Sequence, residues 1–468
     1  MVRSVVAEEN ILPYLTRLTR QEGYDIGLIL GQTTENRDYV VHLARTPRTS
    51  SKGTKDDTSD SIESQTSIVE PSPIKSISDI QESCVADHAK HVTRMLPGGM
   101  FVLGIFVVGP GDVFATDGSV ARLCTILARI KKTLSSSRFL YGNSPSSEKL
   151  VLHLSSKTHR FVCKMLNPDS AHSTPITIDW KFQPKATKWH QIDCQYELDQ
   201  QFPIPIDKVT QPLKKILQDV LTNVSEQIKL AVCMIDGEVR ESSEIIETIG
   251  RKKKGKNSSK PVPQEEGKLL SASMYIPCDK QVDKETEMLV QECCGEMKFQ
   301  GILASRVFLH QKASVQEAVQ ALKEDIVRSL ASRLEMHWDS LIEEEQGSPE
   351  EHVTLHEPPR RVLVPLPHCR VSLSDYLFPG EGPSEALISL QELLDLRVNE
   401  SDVQKELEMQ ADPSEYYSSD IQIENDASED LLPVSMSKST VVLIALTIAV
   451  AILAVSIALQ FSGWRDSK

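Results

Sequence analysis

The sequence predicts an α/β domain followed by an α+β domain, with disordered linkers and one C-terminal transmembrane helix. Three observations carry that prediction. Short apolar runs alternate with segments whose apolar residues recur at helical spacing. A clear amphipathic strand opens the second half, and an uncharged apolar stretch lies near the end of the chain.

The first domain is expected to span 1–165, with a disordered insertion at 48–83. Tyr24-Asp25-Ile26-Gly27-Leu28-Ile29-Leu30-Gly31 is a short apolar run that reads as a buried strand, and Tyr39 to Ala44 follows a polar turn and should pair with it. The insertion is rich in Ser, Thr, Asp and Glu, as in Asp56-Asp57-Thr58-Ser59-Asp60-Ser61, and lacks the apolar periodicity that buries a core. Beyond it, Asp87 to Leu96 forms a helix that stops at Pro97-Gly98-Gly99, and Met100 to Val108 is a buried strand. Val120, Leu123, Ile126, Leu127, Ile130 and Leu134 mark a second helix, and strands near 150–154 and 159–164 close the unit.

The second domain is expected at 166–378, with a basic loop at 241–268. Ile192, Cys194, Tyr196 and Leu198 share one face of a strand, and Asp193, Gln195, Glu197 and Asp199 the other. Leu230 to Ile235, Leu270 to Ile276 and Met297 to His310 are further strand candidates. Val315, Val319, Leu322, Ile326, Leu330, Leu334, Trp338 and Leu341 line one side of a long helix, and Arg361 to Leu366 with Val371 to Phe378 form a closing strand pair. Residues 379–438 read as an acidic, disordered tether.

Ser439 to Phe461 is the predicted anchor. No charge lies between Lys438 and Arg465, and Trp464 sits where an interfacial aromatic is expected. At about 1.5 Å per residue the run matches a hydrocarbon core roughly 30 Å thick. Met1 to Ala7 offers no apolar leader before Glu8 and Glu9. The expectation is a tail-anchored protein of the endoplasmic reticulum membrane with its bulk in the cytosol.

A formal charge of −15 makes nucleic acid a poor partner, because phosphate binding needs a cationic surface. The run Arg251-Lys252-Lys253-Lys254-Gly255-Lys256 reads as a solvated loop, with contact to anionic lipid as the other reading. Nine cysteines are scattered without a CxxC pair, which fits core thiols in a reducing compartment rather than disulfides or zinc.

No nucleophile elbow, HExxH, phosphate loop or dinucleotide fingerprint occurs. His88 and His91 lie three apart on a predicted helix but lack a third metal ligand, so satisfied or solvent-facing histidines are the plainer reading. Cys163 near His159 is a conceivable thiol and imidazole pair, although neighbours along one strand seldom meet. The carboxylates concentrate in the linkers, where no dry cleft tunes them. No residue is assigned a catalytic, cofactor-binding or metal role, and no cofactor is expected.

Two resemblances follow from particular stretches. Gly27-Leu28-Ile29-Leu30-Gly31-Gln32, the helix running into Met95-Leu96-Pro97-Gly98-Gly99, and Val102-Leu103-Gly104-Ile105-Phe106 resemble an MPN domain. Active members follow that last strand with a His-x-His zinc motif, whereas here Val107-Val108-Gly109-Pro110-Gly111-Asp112 has no histidine, so the resemblance implies a pseudoenzyme. The chain as a whole is similar to the Odr-four homologue family. The matching stretches are His91 to Gly99, Ala318-Val319-Gln320-Ala321-Leu322-Lys323, Arg361-Val362-Leu363-Val364-Pro365-Leu366-Pro367, and Asp375-Tyr376, with the C-terminal anchor in the corresponding order. That resemblance implies a non-catalytic adaptor supporting folding or trafficking of client membrane receptors, G-protein-coupled receptors among them. It also implies a partner, the ubiquitin-fold-modifier-specific protease, docked through MPN–MPN pairing, with the lipid bilayer as the other contact. The alternative is a membrane-bound isopeptidase with an atypical site at Cys163 or at His88 and His91. A vesicle-fusion role lacks the heptad helix it needs before the anchor.

Overall fold

The structure, a computed structural model, describes residues 3–48, 73–170, 173–206, 211–249, 267–277, 292–344 and 357–408. All of these belong to one unit, Met1–Gln410. Strand β1 (Ser4–Glu8) comes first, with Val5, Val6 and Ala7 buried. Its apolar run is too short for pattern reading to register. A short helix α1 (Leu12–Leu18) follows, and Leu15 and Leu18 point inward.

The two apolar runs on either side of the polar turn form β2 (Asp25–Thr33) and β3 (Arg37–Arg45), paired antiparallel. Helix α2 (Glu82–Met95) leads through Pro97-Gly98-Gly99 into β4 (Phe101–Gly109), which lies antiparallel to β2. Helix α3 (Asp117–Ser136) starts at Thr116, whose hydroxyl accepts from Ser119 N; five of the six residues at the expected helical spacing are buried, Val120 is half-buried, and Cys124 is buried as well. Strands β5 (Lys149–Ser155) and β6 (Phe161–Leu166) extend the sheet, followed by β7 (Ile176–Thr177) and β8 (Asp179–Gln183).

The eight strands run in the order β7-β6-β5-β4-β2-β3-β1-β8. The nearly continuous segment 176–183 pairs with β6 at one end and β1 at the other, so the sheet curls until its edges approach. Ile178 N donates to Cys163 O across that join, and the Phe161 and Phe182 rings lie 5.2 Å apart. The inside of the curl holds Leu15, Leu18, Ile29, Leu43, Phe106, Leu152 and Trp180. The outside is covered by α2 and α3. The sheet therefore runs past residue 165, where the first domain was expected to end, because 176–183 is needed to close it.

The second sheet contains β9 (Trp189–Pro205), β10 (Val232–Ile235), β11 (Leu269–Tyr275) and β12 (Cys293–His310), in the order β10-β11-β9-β12. Its face is covered by α4 (Leu213–Leu230) and α5 (Val315–Glu344). Helix α4 corrects the expected strand start at Leu230: Leu213, Leu217, Val220, Leu221, Val224 and Ile228 repeat at helical spacing, and Leu230 is the helix's last residue.

Strands β13 (Arg360–Pro365) and β14 (Ser372–Leu377) form the expected hairpin, but its apolar face joins the core of the first sheet rather than the second. Residues 379–408 are not a loose tether. Helix α6 (Pro383–Leu394) buries Ala386, Leu390 and Leu394, with Pro383 at its first turn and Asp395 closing it in the left-handed region at φ 51°. Acidic composition there hides an apolar stripe. Likewise the expected insertion at 48–83 ends early: Tyr24 N donates to Ile74 O, and Ile77 and Ile80 are buried. In the expected basic loop, Ile246 and Ile249 are buried. The basic run 251–256, the second half of the expected acidic tether (409–438) and the expected anchor lie outside the described residues. Among the described residues no helix is long and apolar enough to cross a membrane.

Candidate functional site

The segment after α2 has to turn sharply, and it does so against α5. Gly99 sits at φ +78°, a region costly for other residues. A Cβ on Gly98 would lie 2.3 Å from Ala321 O and 2.9 Å from the Asp325 Cβ, so only glycine permits this approach. Gly98 also forms a parallel bridge with Val307 of β12, which fastens the first sheet's helix layer to the second sheet. Gln32, at the end of β2, completes the join. Its Nε2 donates to Gly99 O at 3.1 Å and Phe308 O at 3.0 Å, and its Oε1 accepts from His310 N at 2.8 Å.

Behind this junction lies a buried ionic seam. Asp325 of α5 is wholly buried and accepts both Nη1 and Nη2 of Arg361, at 2.6 and 3.0 Å, and the Ser305 hydroxyl at 2.7 Å. Arg361 enters from β13, and its Nε donates to Ser374 Oγ and its Nη1 to Ala304 O. Glu408, also buried, accepts Ala304 N at 2.7 Å, Arg333 Nη2 at 2.6 Å and Arg361 N at 2.8 Å. Ala304 and Arg361 thus have their edge groups closed by a carboxylate rather than by another strand.

Burial alone would raise the Asp325 carboxyl, but Arg361, Arg328 and the Ser305 hydroxyl together hold it below the usual carboxylate range. Burial would lower Arg361, and the Asp325 carboxylate instead holds it above its ordinary value. Arg328 is lowered by burial, with Asp325 as its opposing influence. On the other side of the same hairpin, Asp375 has no ion-pair partner among the described residues, and burial pushes it up to about 7.

The expected concentration of carboxylates in linkers is therefore wrong for the ones that matter to the fold. Asp325 and Glu408 were masked by their neighbours in sequence: α5 is buried on most of its circumference, so its apolar stripe does not single out a polar position. The one legible signal was the series Asp325, Arg328, Ser329, Ser332 at helical spacing. Gln32 carried no signal beyond being a polar residue at the end of an apolar strand.

The sequence candidates do not assemble into a reactive site. His88 is buried in α2, with Nδ1 facing Thr46 Oγ1 at 3.1 Å and Nε2 donating to Leu393 O at 2.7 Å, and burial lowers it to about 4. His91, one turn on, is exposed. Cys163 is buried in β6 and burial pushes its thiol well above its ordinary value, whereas His159 is exposed in the preceding turn at φ +53°. Among the described residues, no group of three or more His, Cys, Asp or Glu side chains is placed to hold a metal ion. After β4, Asp112 Oδ1 lies 4.0 Å from the buried His153 Nδ1.

The elements that build the junction and seam match a known family. Residues 27–405 match the family described as ODR4-like, Odorant response abnormal 4-like. The chain belongs to the ODR4-like family. Among its relatives is the Protein odr-4 homolog of Homo sapiens, 28% identical over 413 residues and 86% of each chain. The Protein odr-4 homolog of Drosophila melanogaster is 23% identical over 507 residues, covering 98% of this chain and 99% of its own. Odorant response abnormal protein 4 of Caenorhabditis elegans is 22% identical over 357 residues, covering 75% and 70%. Among solved structures, UfSP from C. elegans overlaps with a TM-score of 0.40 at 8% identity, over 84% of this chain and 57% of that chain. At that level the overlap says nothing about fold or activity. Gln32, Gly98, Asp325 and Arg361 fall inside the family match, and Glu408 lies just beyond its end.

Proposed function

We propose that this member of the ODR4-like family is a non-catalytic adaptor tethered to the endoplasmic reticulum membrane, with its folded unit in the cytosol. The apolar run Ser439 to Phe461 supplies the tether. The folded unit recruits the ubiquitin-fold-modifier-specific protease and supports folding or trafficking of client membrane receptors. The observation that carries this reading is the family match over 27–405, together with a C. elegans relative whose name ties it to the odorant response.

The first sheet, with α2 running through Pro97-Gly98-Gly99 into β4, is read as an MPN-like fold without its zinc motif. Pairing with a second MPN-like domain is the proposed docking mode. Confinement by the tail then raises the local concentration of the docked protease without any new catalytic contact. The buried Cys163 thiol supports the non-catalytic side, since a nucleophilic cysteine needs a lowered value and access to solvent.

The test is affinity purification from membranes with the full chain and a version ending at Lys438. Recovery of the protease with both, and membrane retention only of the full chain, is the expected result. Loss of the protease from both preparations overturns the recruitment half. Cleavage of a ubiquitin-fold-modifier conjugate by the purified chain, abolished by C163S, would establish the isopeptidase reading instead.

A further inference from the structure

The second sheet has long edges, and the molecule closes them unevenly. Strand β11 pairs with β9 only as far as Cys194, so from Gln195 onward β9 and β12 continue as a two-stranded ribbon. Backbone N–H and C=O groups along a strand point alternately to its two sides. On β9 the odd-numbered residues point away from β12, as Gln191 N shows by donating to Lys268 O. Beyond β11 those positions are Gln195, Glu197, Asp199 and Gln201, then Pro203 and Pro205. Proline has no N–H to offer, and the two exposed carboxylates repel a second copy of the same edge. That side of the ribbon is guarded.

Strand β12 is the outermost strand of its sheet, and its even-numbered residues point outward. From Ala304 to His310 this edge is closed group by group. Gln32 accepts from His310 N and donates to Phe308 O, Glu408 accepts from Ala304 N, and Arg361 donates to Ala304 O. Below Ala304 the closure stops. The outward backbone groups of Ile302, Gln300, Lys298 and Glu296 have no hydrogen-bond partner among the described residues, and all four residues are exposed. An open row of this kind is a template for another strand.

The open stretch complements itself in one register. Two copies of an edge strand related by a two-fold axis across it run antiparallel. Centred on Glu296 or on Lys298, the pairing sets like charges opposite each other. Centred on Phe299, it sets Lys298 against Gln300 and Glu296 against Ile302. Centred on Met297, it sets Lys298 of each copy against Glu296 of the other, and Phe299 across from the other copy's Gly295. A Cβ on Gly295 would meet nothing within 4 Å, so there is room for that ring. We propose that residues 294–300 of β12 join two copies of this chain as an antiparallel pair centred on Met297, with one sheet continuous across the dimer. The two ion pairs select the register, and the guarded β9 edge and the capped upper half of β12 leave no competing one.

The experiment is disulfide trapping of the full chain in detergent micelles, on a C293S/C294S background that removes the two exposed thiols of the ribbon. The pairing places the two copies of residue 297 side by side, at a spacing a disulfide fits, and holds the two copies of residue 302 roughly 30 Å apart. M297C should therefore link into dimers on copper–phenanthroline oxidation, and I302C should not. Met297 is half-buried, so two exposed positions are tested beside it. E296C and K298C chains, mixed, should link to each other several-fold more than either links to itself. K298E should cut the M297C dimer several-fold, and adding E296K should restore it. Equal linking at I302C and M297C would mean that the copies meet through the apolar run or another surface, and overturns the pairing. So does a monomer in every variant, which leaves the edge to a strand of different origin, or a K298E loss that E296K does not restore.

Discussion

Asp325 and Asp375 lie on opposite faces of the same β-hairpin layer, both almost fully removed from water, and are driven in opposite directions. Arg361 and Tyr376 are register partners and face the seam, and Val362 and Asp375, the next pair, face the other way. One residue along the strand separates a carboxylate's cationic neighbour from an apolar layer capped by α6. Burial is common to both sites, so burial alone does not decide the state. The guanidinium does.

The sharpest way to break the comparison is to remove the carboxylate that the arginines need. D325A leaves Arg361 and Arg328 buried without their counter-charge and should cost about 3–5 kcal/mol in denaturant unfolding. A loss under about 1 kcal/mol would mean that water enters the seam and that the charges are not desolvated. E408A removes the acceptor of Ala304 N, Arg333 Nη2 and Arg361 N, and its expected cost is about 2–3 kcal/mol. It should also loosen residues 395–408, because Glu408 and the Leu363–Gln404 bridge hold that segment to the hairpin. Faster hydrogen exchange at Leu363 and Gln404 would report it.

Asp375 gives the opposite sign. Folded Asp375 keeps its proton to about 7, whereas the unfolded carboxyl releases it near 3.8. The folded state therefore binds more protons between those values, and stability falls as pH rises through that window. D375N removes the ionisation and should stabilise the protein by about 4 kcal/mol at pH 8, with no gain below pH 4. An equal effect at both pH values would show that the substitution acts by packing or hydrogen bonding, not by charge.

The strands of the two large sheets were largely legible because apolar runs and period-two alternation report burial of one face directly. Tyr24 to Gly31 and Ile192 to Leu198 are such cases. What stayed hidden was whatever depended on a distant partner. Val5-Val6-Ala7 is a strand only because β3 and β8 flank it. Residues 176–183 close a sheet whose other edge, at Ser4 paired with Asp179, is 175 positions away in sequence, which no local pattern encodes. Ala386, Leu390 and Leu394 did have helical spacing, but the acidic residues around them dominated the reading. The seam was hardest to see, since a charge that will be buried looks no different in sequence from one that stays solvated. Arg361 and Asp325 acquire their meaning only when β13 meets α5.

The buried histidine of α2 offers the smallest of these effects. His88 contacts Thr46 in the segment after β3 and Leu393 in α6, so it ties three elements through one ring. Burial lowers the ring to about 4 from an ordinary 6.5. Between those values the unfolded state binds the extra proton, so the stability His88 contributes is complete above about pH 6.5 and is lost as pH falls toward 4. Lowering the pH from 7 to 5.5 should cost about 1 kcal/mol through this residue. H88Q, which keeps a donor for Leu393 O without a titrating ring, should remove that loss and leave the opposite-signed Asp375 dependence, which spans the same pH range, as the remaining slope. If the wild-type and H88Q profiles run parallel between pH 5.5 and 7, the ring binds protons equally in the folded and unfolded protein and its burial is not what sets its state.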